Sequence, residues 1–201
     1  MTKKSITSEM KKQLLTLLVC ILSLMANAQN KFNLSEVKSL VNYGIDYTMA
    51  KVYGGKETGY QYWITYADIN ELFISKSKTF DIGKRLGIPI EVISLQAVNE
   101  NNKAINPDQI KTTDPDNLPT EDEIRNAVKK LPILSQEEKN GIIIFCLSMN
   151  KETDIATYQF VVFNTKTRNI IEQWTNTGKG FGIGLKNYWG HSVYQALKKI
   201  K

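Results

Sequence analysis

Histidine occurs once in the 201 residues, at His191, and cysteine twice, at Cys20 and Cys146. A lone imidazole has no second histidine with which to share a zinc ion, and no metal ligand set can be assembled from the sequence. Cys20 falls in an apolar N-terminal run, so the body of the chain keeps only Cys146. It can form no internal disulfide, and stability must come from core burial. No G-x-S-x-G or H-E-x-x-H pattern is present, so the familiar serine-hydrolase and zinc-protease signatures are excluded. The chain also lacks internal repeats and low-complexity blocks. Its longest apolar run, Leu14–Met25, is shorter than the about 20 residues a membrane-spanning helix needs.

The formal charge of +6 is less telling than it looks. Lys3, Lys4, Lys11, Lys12 and Glu9 lie in residues 1–28, and without them the charge is about +3. That excess is too small to indicate a nucleic-acid partner.

What is present begins with export. Lys11 and Lys12, the run Leu14–Met25 and Ala26-Asn27-Ala28 read as a positive n-region, an apolar h-region and an A-x-A cleavage site. The expected mature protein starts at Gln29 and is periplasmic or extracellular, with residues 29–201 forming one α/β domain. Met10 is an alternative start. A lipobox reading of Leu17–Cys20 is weakened by Val19, where a small residue is expected.

Along the body, Leu34, Val37, Leu40 and Val41 predict a short helix over 32–41. Alternation of Tyr43, Ile45, Tyr47 and Met49 predicts one strand ending at Gly54-Gly55. Tyr62, Tyr66, Ile69 and Phe73 share a helical face. A second helical run, Thr79–Leu86, stops at Gly87 before Pro89. Ile90–Val98 reads as a strand and Asn99–Pro119 as a long loop. Thr120 and Glu123 form a capping box opening a helix with Ile124, Ala127, Val128 and Leu131 inward. Three strands then follow, Ile142–Met149, Ile155–Phe163 and Ile170–Thr177, joined by polar turns at 150–154 and 164–169. Ile142–Leu147 is apolar on both faces, which predicts a central, covered strand. A stripe of Leu185, Trp189, Val193, Ala196, Leu197 and Ile200 predicts a closing helix. The expected fold is therefore an α/β (α+β) domain with a mainly antiparallel sheet of about five strands, a C-terminal three-strand meander and helices packed on it.

The glycine ladder Gly178-Lys179-Gly180-Phe181-Gly182-Ile183-Gly184 precedes that helix, where bare amides can cradle an anion. It matches neither G-K-[ST] nor G-x-G-x-x-G, and a connection needing positive φ explains it equally. His191 reads as a surface histidine. Asp68 and Glu71 could pair as carboxylates or simply face water. Asp114, Asp116, Glu121, Asp122 and Glu123 are oxygen-rich but lack calcium-loop spacing. Aromatics cluster at Tyr60, Tyr62, Trp63 and Tyr66 and again at Phe181, Tyr188, Trp189 and Tyr194. Exposed members would suit sugar stacking or protein contact. The candidate ligand-binding residues are Lys179, Gly180, Phe181, Gly182, Tyr60 and Tyr62, with no catalytic residue, metal ligand or cofactor assigned.

Thr177–Gly190, with its T-G-K-x-G-x-G turn and N-Y-W helix, resembles a segment of small secreted bacterial α/β domains of unassigned function. The resemblance covers about the last 60 residues and implies no catalytic residues. The element order also resembles that of periplasmic domains of curli-secretion and Tol-type envelope proteins, in topology alone. These readings lead to a non-enzymatic exported cell-envelope module for protein–protein interaction. Alternatives are a small-molecule or glycan-binding periplasmic domain and an envelope hydrolase. The expected partner is a cell-envelope protein or a small ligand or glycan, with neither nucleic acid nor a transmembrane segment in the mature chain.

Overall fold

The computed structural model describes residues 34–134 and 137–200. The expected export signal, its expected cleavage site and Cys20 lie outside the described residues. A 3-10 turn at Leu34–Glu36 leads into β1 (Leu40–Asp46) and β2 (Lys51–Tyr53). Helices α1 (Gly59–Asn70), α2 (Leu72–Ser75) and α3 (Ile82–Leu86) follow, then β3 (Ile90–Ile93), α4 (Gln96–Lys103) and the two-residue β4 (Lys111–Thr112). The chain closes with α5 (Glu121–Lys130), the long strands β5 (Asn140–Asn150), β6 (Ile155–Asn164) and β7 (Ile170–Lys179), and α6 (Leu185–Leu197).

All seven strands belong to one mixed sheet. β5 is its axis. One edge of β5 pairs in parallel with β1 through Gly141–Phe145 and then with β2 through Ser148–Asn150. β3 lies parallel outside β1, and β4 parallel outside β2. The other edge of β5 pairs antiparallel with β6, and β6 with β7. Four of the six pairings are parallel, which overturns the expected mainly antiparallel sheet. The physical reason is connectivity. A parallel neighbour needs a crossover, most often a helix, and α1–α3, α4 and α5 are those crossovers. Alternation within a strand carries no direction, and the meander's hairpins were extrapolated to the rest.

Three further expectations are corrected. The predicted helix over 32–41 is a 3-10 turn followed by β1, because Leu40 and Val41 face opposite sides of the sheet. The predicted strand Tyr43–Tyr53 is two strands, broken where Ala50 N–H donates to Tyr47 C=O. The predicted strand Ile90–Val98 ends at Ile93, and α4 (Gln96–Lys103) takes up the rest of that strand and the start of the expected Asn99–Pro119 loop. Its asparagines are weak helix formers, and tertiary contacts hold it: Ala97 and Val98 are buried, and Trp63 Nε1 donates to Asn102 C=O at 2.9 Å.

The sheet is covered on both faces, so the fold has three layers. Ile142, Ile144 and Cys146 of β5 face one core with α1, α3 and α6; Ile143, Phe145 and Leu147 face the other with α4 and α5. Each fully buried Ile or Phe contributes about 1.5–3 kcal/mol by burial. Local signals fix the helices against this sheet. Thr58 with Gln61 and Thr120 with Glu123 form complete capping boxes for α1 and α5. Asp81 caps α3, which ends on Gly87 at φ 70°. Among the described residues no helix is long and apolar enough to cross a membrane.

Candidate functional site

The carboxyl ends of β2, β4 and β5 open onto one rim of the sheet. The turn after β2, the β5–β6 turn, the glycine ladder after β7 and the first turns of α1 and α6 all meet there. In parallel α/β sheets this is where ligands are bound. Lys111, from β4, holds the rim together: its Nζ donates to the carbonyls of Gly54 (2.7 Å), Gly55 (3.0 Å) and Glu57 (3.3 Å). With three acceptors engaged, this ammonium is a structural tie.

Tyr62 and Tyr188 occupy the centre of the rim. Tyr62 is fully buried and its hydroxyl donates to Glu57 Oε2 at 3.5 Å. Burial, and then the nearby Glu57 charge, push its phenol up to about 12. Tyr188 donates to Asp154 Oδ1, and Lys151 Nζ lies 3.1 Å from its ring centroid. Burial, reinforced by the Asp154 hydrogen bond, raises its phenol far above the ordinary tyrosine value. Both phenols are therefore neutral hydrogen-bond donors at physiological pH.

The glycine ladder is built around Tyr188 and α6. Gly178 lies so close to the helix that an added Cβ would fall 1.7 Å from Ser192 C=O, and one at Gly180 would fall 2.3 Å from the Tyr188 ring. Gly180 N–H donates to Asp154 C=O at 2.6 Å, and Phe181 N–H to Tyr188 C=O at 3.2 Å. His191 lies half-buried at the surface of α6. Its Nδ1 lies 3.0 Å from Lys179 C=O and its Nε2 3.1 Å from Gln195 Nε2. A neutral ring with the proton on Nδ1 meets both contacts, donating to the carbonyl and accepting from the amide. The ring also meets Phe181 edge-on at 5.6 Å. His191 thus latches the loop to α6.

This framework presents two apolar side chains to solvent, Phe181 at 73% exposure and Ile183 at 93%. Of the six candidate residues, Lys179, Phe181 and Gly182 are exposed on the loop, and Gly180 is buried against Tyr188. Tyr60 is exposed on the first turn of α1 and packs against Trp63, whereas Tyr62 points inward. Gly180 and Phe181 of the loop both meet Tyr188, a residue whose role the sequence does not reveal. Its only signal was its place in the second aromatic cluster. Asp68 and Glu71 are both exposed. Among the acidic residues at 114–123, Asp122 pairs with Arg125 and Glu123 serves the capping box. Among the described residues no three His, Cys, Asp or Glu side chains converge as metal ligands.

No family model matches this chain, and no curated protein matches its sequence. Among solved structures it has a loose likeness to the LpoB C-terminal domain from Salmonella enterica. That likeness has 11% identity and a TM-score of 0.31, and covers 71% of this chain and 82% of that one. A likeness this loose shows neither a shared family nor a shared function.

Proposed function

We propose that the protein is an exported, non-enzymatic protein-binding module that docks through the loop Gly180–Gly184. The observation that carries this reading is the rigid display of Phe181 and Ile183. Large apolar side chains so exposed gain most by being covered. Phe181 N–H donates to Tyr188 C=O, Asn187 Nδ2 donates to Ile183 C=O, and the preceding residues are held by Asp154 and His191. A pre-ordered loop loses less conformational entropy on binding than a free one. Interface energy tends to concentrate in a few such anchors. The partner expected from the export signal is a cell-envelope protein.

The test is site-specific photocrosslinking. With a photoreactive residue at Ile183 in cells, one discrete protein adduct should form. Phe181→Ala should abolish it while leaving the melting temperature unchanged. Absence of any adduct from 183, with adducts readily formed from exposed positions elsewhere, would refute the loop as the docking element.

A further inference from the structure

The edge of the sheet opposite β7 carries a second surface. β3 is the terminal strand on that side, and Glu91 and Val92 at its middle are exposed. Gly83 of α3 packs against Ile90 N–H, so the first residue of the strand is covered and the open edge runs from Glu91. A groove of about 850 Å³ flanks this edge on one face, floored by Phe73, Ile74, Ile82, Ile90 and Val92. A smaller depression of about 250 Å³ flanks it on the other, lined by Val41, Tyr43, Ile133 and Leu134 and sharing Val92. Ile74, Val92 and Leu134 are exposed by 52%, 51% and 72%, so the apolar surface wraps around the strand edge.

The charges around it are unequal in their freedom. Asp81 accepts from Lys84 N–H as the cap of α3. Glu91 is taken up by Ser39 and, at 3.3 Å, by Lys139 Nζ, which also pairs with Glu137. Among the described residues, Lys78 and Lys84, both lining the larger groove, have no carboxylate partner. Over the apolar floor of the larger groove, these two lysines are thus the charges left free to pair with a ligand, beside the engaged carboxylates of Asp81 and Glu91.

From this geometry we infer that the β3 edge binds an extended acidic–apolar peptide segment of a partner protein. A strand laid on an edge sends successive side chains to opposite faces of the sheet. Here each face offers a depression, the larger one lined by Lys78 and Lys84. The peptide places apolar side chains in both and a carboxylate against the two lysines. A second copy of this chain is disfavoured, because a symmetric contact would bring the same unpaired lysines together.

The inference is independent of the Phe181 loop and is tested separately. A displayed library of random linear peptides is selected against the full chain, and Kd is measured for the enriched peptides. Selected sequences should alternate apolar residues and carry an acidic residue. Val92→Lys, Leu134→Lys and the double variant Lys78→Glu/Lys84→Glu should each weaken binding by about tenfold or more, the scale of a lost anchor, with unchanged melting curves. Phe181→Ala should leave it intact. The inference is overturned if no peptide is enriched, or if enriched peptides ignore all three changes. It is overturned too if a long-chain fatty acid competes them off, which would make the groove a lipid site. Sedimentation showing a dimer that Val92→Lys dissolves would assign the edge to a second copy instead.

Discussion

Asn70 gives Ile45 the pair of hydrogen bonds that a neighbouring strand would give. Its Oδ1 accepts from Ile45 N–H at 2.7 Å and its Nδ2 donates to Ile45 C=O at 2.9 Å. β3 pairs with β1 only as far as Asn42, and Ile45 lies beyond that. Asn102 reinforces the arrangement, accepting from Tyr47 N–H and donating to the same Ile45 carbonyl. Gly44 is what allows the approach: its φ is +80°, and a Cβ there would stand 2.7 Å from Asn70 Oδ1. Two buried side-chain amides thus extend the sheet past the end of its edge strand.

Asn70→Leu should therefore destabilise the protein. Asn102 still serves the Ile45 carbonyl, so the N–H alone is orphaned. Leaving one buried polar group unpaired costs about 1–3 kcal/mol. Asp68→Ala, on the exposed face of the same helix, should change stability by less than about 0.5 kcal/mol. Urea unfolding of the two variants checks the contrast, and equal midpoints would refute the strand-mimic role.

Tyr47 and Tyr66 stack face to face at 3.9 Å, and both hydroxyls are buried without a hydrogen-bond partner among the described residues. The Tyr158 hydroxyl, also buried, shares a 2.6 Å hydrogen bond with Ser192 Oγ. Removing an unpaired buried hydroxyl should cost nothing, while removing a paired one should cost about 0.5–1.5 kcal/mol. Tyr47→Phe and Tyr66→Phe should match or exceed the parent in thermal unfolding, and Tyr158→Phe should fall below it.

Why some of this could be read from the sequence and some could not follows from the range of each signal. The capping box at Thr120, the stop at Gly87 and the doubly apolar run at Ile142–Leu147 are local, and each marks a real element. Cys146 lies in that run and is fully buried, as its neighbours imply. Strand direction is not local, because it depends on which crossover returns where. Neither is α4, whose helical state rests on β1 and Trp63 rather than on its asparagines. At the rim, the glycine ladder announced itself, but the Tyr188–Asp154 and His191–Lys179 contacts span 34 and 12 residues. No spacing rule links such pairs. Phe181 could be listed as an aromatic, yet only the fold decides that it points outward.

Alkaline pH should unfold the protein in a window set by its tyrosines. Tyr62 is pushed up to about 12, and Tyr47, Tyr66 and Tyr158 stand well above 10, chiefly through burial. In the unfolded chain these phenols lose their protons near pH 10, whereas the folded state keeps them. The unfolded state then binds fewer protons, so stability falls as pH rises. It is intact below about pH 10 and is lost progressively through about pH 12 and above. A spectrophotometric titration should show these phenols ionising only as circular dichroism reports unfolding. Ionisation of all nine tyrosines of the chain before any loss of structure would contradict the buried placements.

Cys146 should be inert in the native state. Burial alone pushes its thiol far above the ordinary cysteine value, and the thiolate is the reactive form. Labelling by a thiol reagent should be slow in native buffer and rapid in denaturant. Fast native labelling would place β5 at an accessible edge and undo the assigned topology.

Trp189 and Phe181 separate the scaffold from the docking surface. Trp189 is fully buried between α6 and the sheet, in the same core as Val193 and Leu197. Truncating a buried tryptophan to alanine costs about 3–5 kcal/mol through lost burial and a residual cavity. Domains are stable by only about 5–15 kcal/mol, so Trp189→Ala should bring the protein close to unfolding. Phe181 is 73% exposed, and its removal should shift stability by less than about 0.5 kcal/mol. Calorimetry on the two variants reads the difference directly. If Phe181→Ala melts as early as Trp189→Ala, the loop's aromatic is packing against His191 to hold the fold together. The docking role assigned to the loop would then have to be withdrawn.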